Sequence, residues 1–377
     1  MTATASAMSD FPTVDIPVRQ SEPFIRPTTT TNAIGILRHS VLPSFGVQGG
    51  LSVIAYGIAR STNRFDLKDW LWPTGMVLNA WWTAVGRHTT LARPGSIIDA
   101  LKDLSFSQQA LLAAVTAWGG RLAYQVISRS IKRGKDDPRY EGVKREHGFW
   151  NKASILFALE AAFQTLISIP FTMPFNTDSL SGFASAPAEW APLARWTAAG
   201  LFTTGLALES IADWQLASHK KRETVKKEQG ESGELLRKGV FSIVRHPNYL
   251  GDALCHLAFP LWTYGCGLFH VSQLLGPAAN YFFLRWIGGD RENEAYQSQR
   301  YAKEDRDKHA QLELYQLQKN SFWPSIFEVV NPWAWTVGAI GAAGAIAEYV
   351  FESRILAAGT AVNPINPVVG ETLAALN

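Results

Sequence analysis

The chain is poor in the residues that would place it in most soluble classes. It has two cysteines, Cys255 and Cys266, too few for a disulfide framework or a cysteine-ligated metal site. Charged residues make up 18% of its 377 positions, against about 25% in a typical globular chain. The formal net charge is only +3, too small by itself for a nucleic-acid binder. No Gly-x-Gly-x-x-Gly fingerprint follows a strand-like run, so a Rossmann-type nucleotide fold is not indicated. Residues 1–33 contain no apolar stretch of signal-peptide length; they are polar, Thr-rich and Pro-interrupted, and are expected to be a disordered tail.

The scarcity of charge is local. Ala253–Leu284 contains no Asp, Glu, Lys or Arg, and neither do His39–Ala59, Trp70–Gly86, Ala161–Thr177, Trp196–Leu208 and Val329–Ala347. Apolar windows of this length match a bilayer core crossed at about 1.5 Å per residue. The pattern predicts an all-α, polytopic transmembrane helix bundle of seven or eight spans. These fall at residues 41–59, 69–86, 107–128, 153–173, 191–212, 248–267, 270–287 and 329–350. Mean hydropathy is nonetheless near zero, at −0.03. It averages empty spans with dense loops and undervalues the 14 Trp, which suit membrane interfaces.

The loops give an orientation. The connections after the third, fifth and seventh spans are rich in Lys and Arg, whereas residues 174–190 and 265–272 have none. By the positive-inside rule the basic loops face the cytosol. The expected organisation is a disordered tail at 1–33 and a transmembrane core at 34–290. A cytosolic charged segment at 291–328, a further span at 329–350 and a loose tail at 351–377 follow. Gly338, Gly341 and Gly344 would let that last span pack closely, or leave it a thin filler helix.

The polar chemistry is concentrated in Leu206–Asp252. Glu209, Asp213 and Lys220 are spaced by four and seven residues, hence on one helical face. Acids at a membrane edge either line a wet or ligand-filled cavity or pair with the basic loop. Downstream, Gly239-Val-Phe leads into Arg245-His-Pro-Asn-Tyr-Leu-Gly-Asp252. Pro247 suits a helix start, whose free N–H groups beside Arg245 would attract an anionic phosphate or carboxylate. Asn248 suits an amide, and Tyr249 suits a ring or a proton. A head-group anchor would use the same Arg and Tyr.

This Arg-His-Pro-Asn-Tyr-x-Gly-Asp string resembles the signature of the steroid 5α-reductase C-terminal-domain family. Glu209-x-x-x-Asp213-x-Gln215, Arg64-Phe-Asp-Leu-Lys-Asp-Trp70, Asp136-Asp-Pro-Arg-Tyr140 and Arg285 are similar to further elements of that family, in order. The resemblance implies a helical membrane reductase holding NADPH in a cytosol-facing cavity, in the endoplasmic reticulum if the chain is eukaryotic. It would reduce a conjugated C=C bond of a lipophilic, steroid-like or fatty substrate. Carried over by motif, the cofactor-binding positions are Glu209, Asp213, Lys220, Asn248, Asp252 and Arg285; Arg245, which the steroid 5α-reductases proper do not share, joins them as the cation beside the helix start. Tyr249 and His246 are the candidate catalytic proton donors, ahead of Tyr124, Tyr281 and His256. The stretch after Arg285 departs from the His-rich ending of the steroid enzymes. Membrane methyltransferases using S-adenosylmethionine share the Arg-His-Pro turn and are the alternative; a non-catalytic scaffold is the third reading.

Overall fold

A computed structural model describes residues 31–362, apart from 88, 91–95, 178, 181 and 232. Residues 1–30 of the expected tail at 1–33 and 363–377 of the expected tail at 351–377 lie outside the described residues, whereas 31–33 are helical. Thirteen α-helices occur among the described residues. The first seven are α1 Thr31–Ile36, α2 Leu42–Thr62, α3 Leu67–Trp81, α4 Ile97–Lys102, α5 Phe106–Arg133, α6 Glu141–Lys144 and α7 Phe149–Thr172. They are followed by α8 Ala191–Glu228, α9 Pro247–Gly265, α10 Leu275–Trp286, α11 Asp290–Glu304, α12 Arg306–Gln318 and α13 Pro332–Val362. The sole β feature among these residues is an isolated bridge between Ala184 and Phe269.

A helix stands at each of the eight predicted windows. Four are long and apolar enough to cross a membrane: Ala33–Thr62, Phe106–Arg133, Phe149–Asn176 and Pro332–Arg354. The others differ for identifiable reasons. With 12 residues, α10 extends only about 18 Å at 1.5 Å per residue, short of a bilayer core. The apolar half of α8 carries Arg195, Glu209 and Asp213. At 38 residues α8 is also longer than any bilayer needs, so its Lys-rich second half projects beyond the apolar layer. The chain is thus a helical membrane protein, and α13 extends past its expected end at residue 350.

Local sequence sets the helix ends. Ser105 and Gln108 form a reciprocal capping box at the start of α5, and Gly134 closes it in the left-handed conformation. Pro247 occupies the first turn of α9, where its missing N–H is not needed. At the centre lies α7, kinked at Phe171 beside Pro170. A core of Met76, Val115, Trp118, Ile167, Phe171 and Phe259 joins α3, α5, α7 and α9. Gly341 and Gly344 of α13 pack on Gly200, Thr203 and Thr204 of α8, whereas Gly338 faces open space.

Candidate functional site

The packing of α8 on α9 explains why the motif needs a glycine. A Cβ on Gly251 would lie 2.5 Å from the carbonyl oxygen of Gly205 and 2.7 Å from the Glu209 nitrogen. Only hydrogen at both positions lets the backbones meet this closely, and the crossing sets Glu209 of α8 beside Asp252 of α9. Both carboxylates are buried. Arg121, from the middle of α5, ion-pairs with Glu209 and reaches Asp213 at 2.7 Å. Asp252 accepts from Trp118 Nε1 at 2.8 Å and from Asn280 Nδ2 at 3.2 Å. Three carboxylates therefore share one guanidinium and two neutral donors. A cleft of about 250 Å³ leads to Arg121 and Asp213 between Tyr124, Gln125, Ser210 and Trp214. Tyr124 and Trp214 are 73% and 67% exposed, so this cleft opens sideways, along the α5–α8 groove.

Gln215 has a separate job. Gly239 sits at φ +71°, a left-handed conformation suited to glycine, with the Gln215 amide against the space a Cβ would occupy. The Gln215 oxygen accepts from Val240 N at 3.0 Å. This bond ties the α8 helix to the turn that leads into Arg245.

In that turn Arg245 and His246 converge on one acid. Arg245 makes a two-point ion pair with Glu294 of α11, both bonds 2.8 Å, and His246 Nε2 lies 2.9 Å from the same carboxylate. Arg245 also donates to the carbonyl oxygens of Gln316 and Lys319. The backbone N–H groups of residues 245 and 246 donate to the carbonyls of Asn320 and Ser321, each at 3.0 Å. Tyr315 donates to the Phe241 carbonyl. Burial would raise the Glu294 carboxyl, but the hydrogen bonds from His246 and Arg245 hold it down to about 2. The Tyr249 ring stacks on His246 with centroids 5.4 Å apart, and its hydroxyl accepts from Asn293. Arg285 pairs with buried Asp290, donates to Ser321 and lies over the Phe322 ring at 5.5 Å. The segment after residue 290 is therefore packed directly onto the motif turn.

Two further motif elements form one ion network at the same end as the basic loops. Asp66 accepts from Arg64, Ser130 and Arg133. Asp136 accepts the backbone N–H groups of Phe65 and Asp66 at 2.9 Å and the Lys144 ammonium at 2.6 Å. Tyr140 donates to Asp69 at 2.8 Å. The network pins the connection after α5 onto the start of α3.

The cations of these motif elements are thus committed, while others at this end are not. Among the described residues, Arg129 and Lys220 have no acidic partner within 4 Å. Both are exposed. Partial desolvation, then the positive charges of Arg129, Arg139 and Arg300, hold the Lys220 amine below the ordinary lysine range, against the pull of Asp137. The side chain of Asn248, half-buried in the first turn of α9, is likewise without a hydrogen-bond partner among the described residues.

Glu209, Asp213, Asp252 and Arg121 accordingly form one cluster. Arg245, His246, Tyr249 and Arg285 form a second with α11 and Ser321, and Lys220 stands apart among cations. Of the other donor candidates, Tyr281 accepts from Trp323 Nε1 at 3.0 Å. His256 is fully buried, 3.7 Å from Asp252 and edge-on to Trp118. Residues 55–313 match the family described as a protein of unknown function, DUF1295. The chain belongs to that family. The match takes in the Arg64 and Asp136 elements, α8, the Arg245–Asp252 turn and α11. No curated protein and no solved structure matches the chain.

Sequence reasoning missed Arg121, Trp118, Asn293, Glu294, Tyr315 and Ser321. One signal was present: Arg121 is the cation of an otherwise apolar span, and Glu209 and Asp213 are acids in another. A buried charge calls for a partner of opposite sign.

Proposed function

We propose that this chain is an integral membrane NADPH-dependent reductase acting on a conjugated C=C bond of a lipophilic substrate. Seven or eight of the helices would cross the bilayer, with the basic end facing the cytosol. The observation that carries the reading is the convergence of α5, α8 and α9 on Arg121, Glu209, Asp213 and Asp252 through the Gly205–Gly251 crossing. The relation of its family to steroid 5α-reductase-like membrane proteins supports it.

The residues fit a phosphorylated dinucleotide. Exposed, unpaired Arg129 and Lys220, with Arg139 and Arg300 nearby, suit its phosphates. Unpartnered Asn248 suits a carboxamide. Bound NADPH would supply the hydride; the chain supplies binding, orientation and exclusion of water. Glu209, Asp213 and Asp252, fixed by Arg121 and Trp118, would orient hydroxyl and amide groups. Arg245 holds Glu294 and so positions the turn instead of binding phosphate. Tyr249, oriented by Asn293 and His246, is the nearest held phenol for protonation. An apolar substrate would enter sideways through the cleft at Tyr124 and Trp214.

Titration of the purified protein in lipid nanodiscs, followed by nicotinamide fluorescence, tests this. Saturable NADPH binding is expected, weakened about tenfold in both Lys220→Gln and Arg129→Gln, as a lost charge-assisted hydrogen bond requires. Saturable S-adenosylmethionine binding without NADPH binding would replace this reading with a membrane methyltransferase. Binding of neither would leave a scaffold.

A further inference from the structure

A second polar feature lies between α2, α3 and α7. Buried polar residues recur every fourth position along α7 and the turn after it, at Glu160, Gln164, Ser168, Thr172 and Asn176, and along α2 and the turn before it, at Ser40, Ser44, Gln48 and Ser52. Opposite them α3 contributes Gly75 and Asn79, with Thr83 just past its end. Many of these groups are satisfied at home. Thr83, Ser168 and Thr172 donate to the carbonyl four residues back, at 2.8, 2.7 and 3.0 Å. Glu160 pairs with Lys68 at 3.2 Å and accepts from Gln164 Nε2 at 3.2 Å.

The amides are the exception. Gln48 and Gln164 are 1% exposed and Asn79 is 0% exposed. Gln48 Nε2, Gln164 Oε1 and both polar atoms of Asn79 have no hydrogen-bond partner. The side-chain oxygens of Gln48 and Gln164 converge above Gly75, where a Cβ would lie 2.6 and 2.7 Å from them. Asn79 is one helical turn further along. Methionine or leucine would fill such positions without an orphaned polar group, each of which is costly when buried. Three neutral amides from three helices, two of them meeting over Gly75 and the third one turn along α3, instead match a ligand group that both donates and accepts. None of the trio is charged, and the adjoining Glu160 is already paired with Lys68, so a neutral head group is the better match.

We propose that α2, α3 and α7 form a binding site for a lipophilic molecule with a neutral hydroxyl or carboxamide head. Gln48, Asn79 and Gln164 hydrogen-bond the head, and Gly75, with no side chain, lets the two glutamine oxygens meet over α3. The site rests on the membrane character of the chain and not on the reductase reading.

The test is thermal unfolding of the full chain in phosphatidylcholine nanodiscs with oleyl alcohol, oleamide or 1-octadecene. A saturable rise in Tm is expected with the alcohol or the amide, the stronger response identifying the head, and none with the hydrocarbon. Gln48→Met and Gln164→Met should weaken the response about tenfold or more, the worth of one buried hydrogen bond. Either variant serves if the other fails to fold. The ligand-free Tm of Gln48→Met should match or exceed that of the unmodified chain, which separates lost binding from lost structure; Gln164→Met also loses the bond to Glu160 and should fall somewhat. Gly75→Ala, whose methyl would displace the Gln48 and Gln164 side-chain oxygens, should abolish the response. Equal shifts with octadecene, full shifts in both methionine variants, or no shift with any probe would overturn the proposal. Reading NADPH binding in the same samples keeps this result separate from the reductase test.

Discussion

Replacing Gly251 by alanine tests the central geometric claim. The added methyl would meet backbone on two sides, 2.5 Å from the Gly205 oxygen and 2.7 Å from the Glu209 nitrogen. Neither atom belongs to a flexible side chain, so α8 and α9 must separate by about 1 Å to reach ordinary contact distance. Overpacking of this kind costs about 1–3 kcal/mol. Any gain in helix propensity from glycine to alanine, up to about 1 kcal/mol, is too small to reverse it. Separation also draws Glu209 and Asp252 apart, so NADPH binding should weaken together with stability. Gly120→Ala is the matched control. It lies within α5, nothing stands within 4 Å of its added methyl, and there the propensity gain should stand alone. Thermal unfolding in nanodiscs reads both variants. Gly251→Ala should unfold several degrees below the unmodified chain, and Gly120→Ala at or above it. A Gly251→Ala protein as stable as the Gly120→Ala control would refute the close crossing and the site built on it.

Two further outcomes follow from the ion pairs. Arg121→Met leaves Glu209 and Asp213 buried without their cation and should cost about 3–5 kcal/mol. The triple variant Arg121→Met, Glu209→Gln, Asp213→Asn should recover most of that, and a single variant as stable as the parent would remove the ion pair from the stability argument. The second outcome concerns Glu294, whose carboxyl lies at about 2 in the folded chain, against 4.5 ordinarily. A depressed carboxylate stabilises the fold above its unfolded value and loses that stabilisation as pH falls through the folded one. About 3 kcal/mol should therefore disappear between roughly pH 5 and pH 2, with no dependence on this group above that window. Unfolding measured against pH should show this drop, and Glu294→Gln should flatten it; an unchanged acid limb in the variant would exclude Glu294 as its source.

The helices were legible because charge-free windows and a proline at the first turn of α9 are local signals. The number of crossings was less so, because length alone does not separate a span from a shorter buried helix such as α10. Individual motif residues were also legible, since Glu209, Asp213 and Asp252 are unusual where they stand. Their partners were not. Trp118 and Arg121 occupy the same face of α5 one turn apart, but only the packed bundle shows that this face meets α8 and α9. The segment from 291 to 328 read as a charged appendage because α11 and α12 have little apolar periodicity. Its role comes instead from single polar contacts, Glu294 on Arg245 and the carbonyls of residues 316–321, and such contacts leave no period in a sequence.

The fate of the cations sharpens what the motif does. On composition alone, Arg245 beside a free helix N-terminus is an attractive phosphate ligand. In the folded chain its guanidinium is saturated by one carboxylate and two carbonyls, and His246 shares that carboxylate. Freeing Arg245 for a phosphate would leave Glu294 half-buried without its strongest partner and detach α11 from the turn. The cheaper anion ligands are cations with no ion pair to give up, of which Lys220 and Arg129 are two. The Lys220 amine is lowered first by partial desolvation and then by the neighbouring charges of Arg129, Arg139 and Arg300. An anion entering there relieves repulsion as well as gaining attraction. The Arg-His-Pro turn is then best understood as the clamp that sets the start of α9, and with it Asn248, Tyr249 and Gly251, at a fixed height against α8.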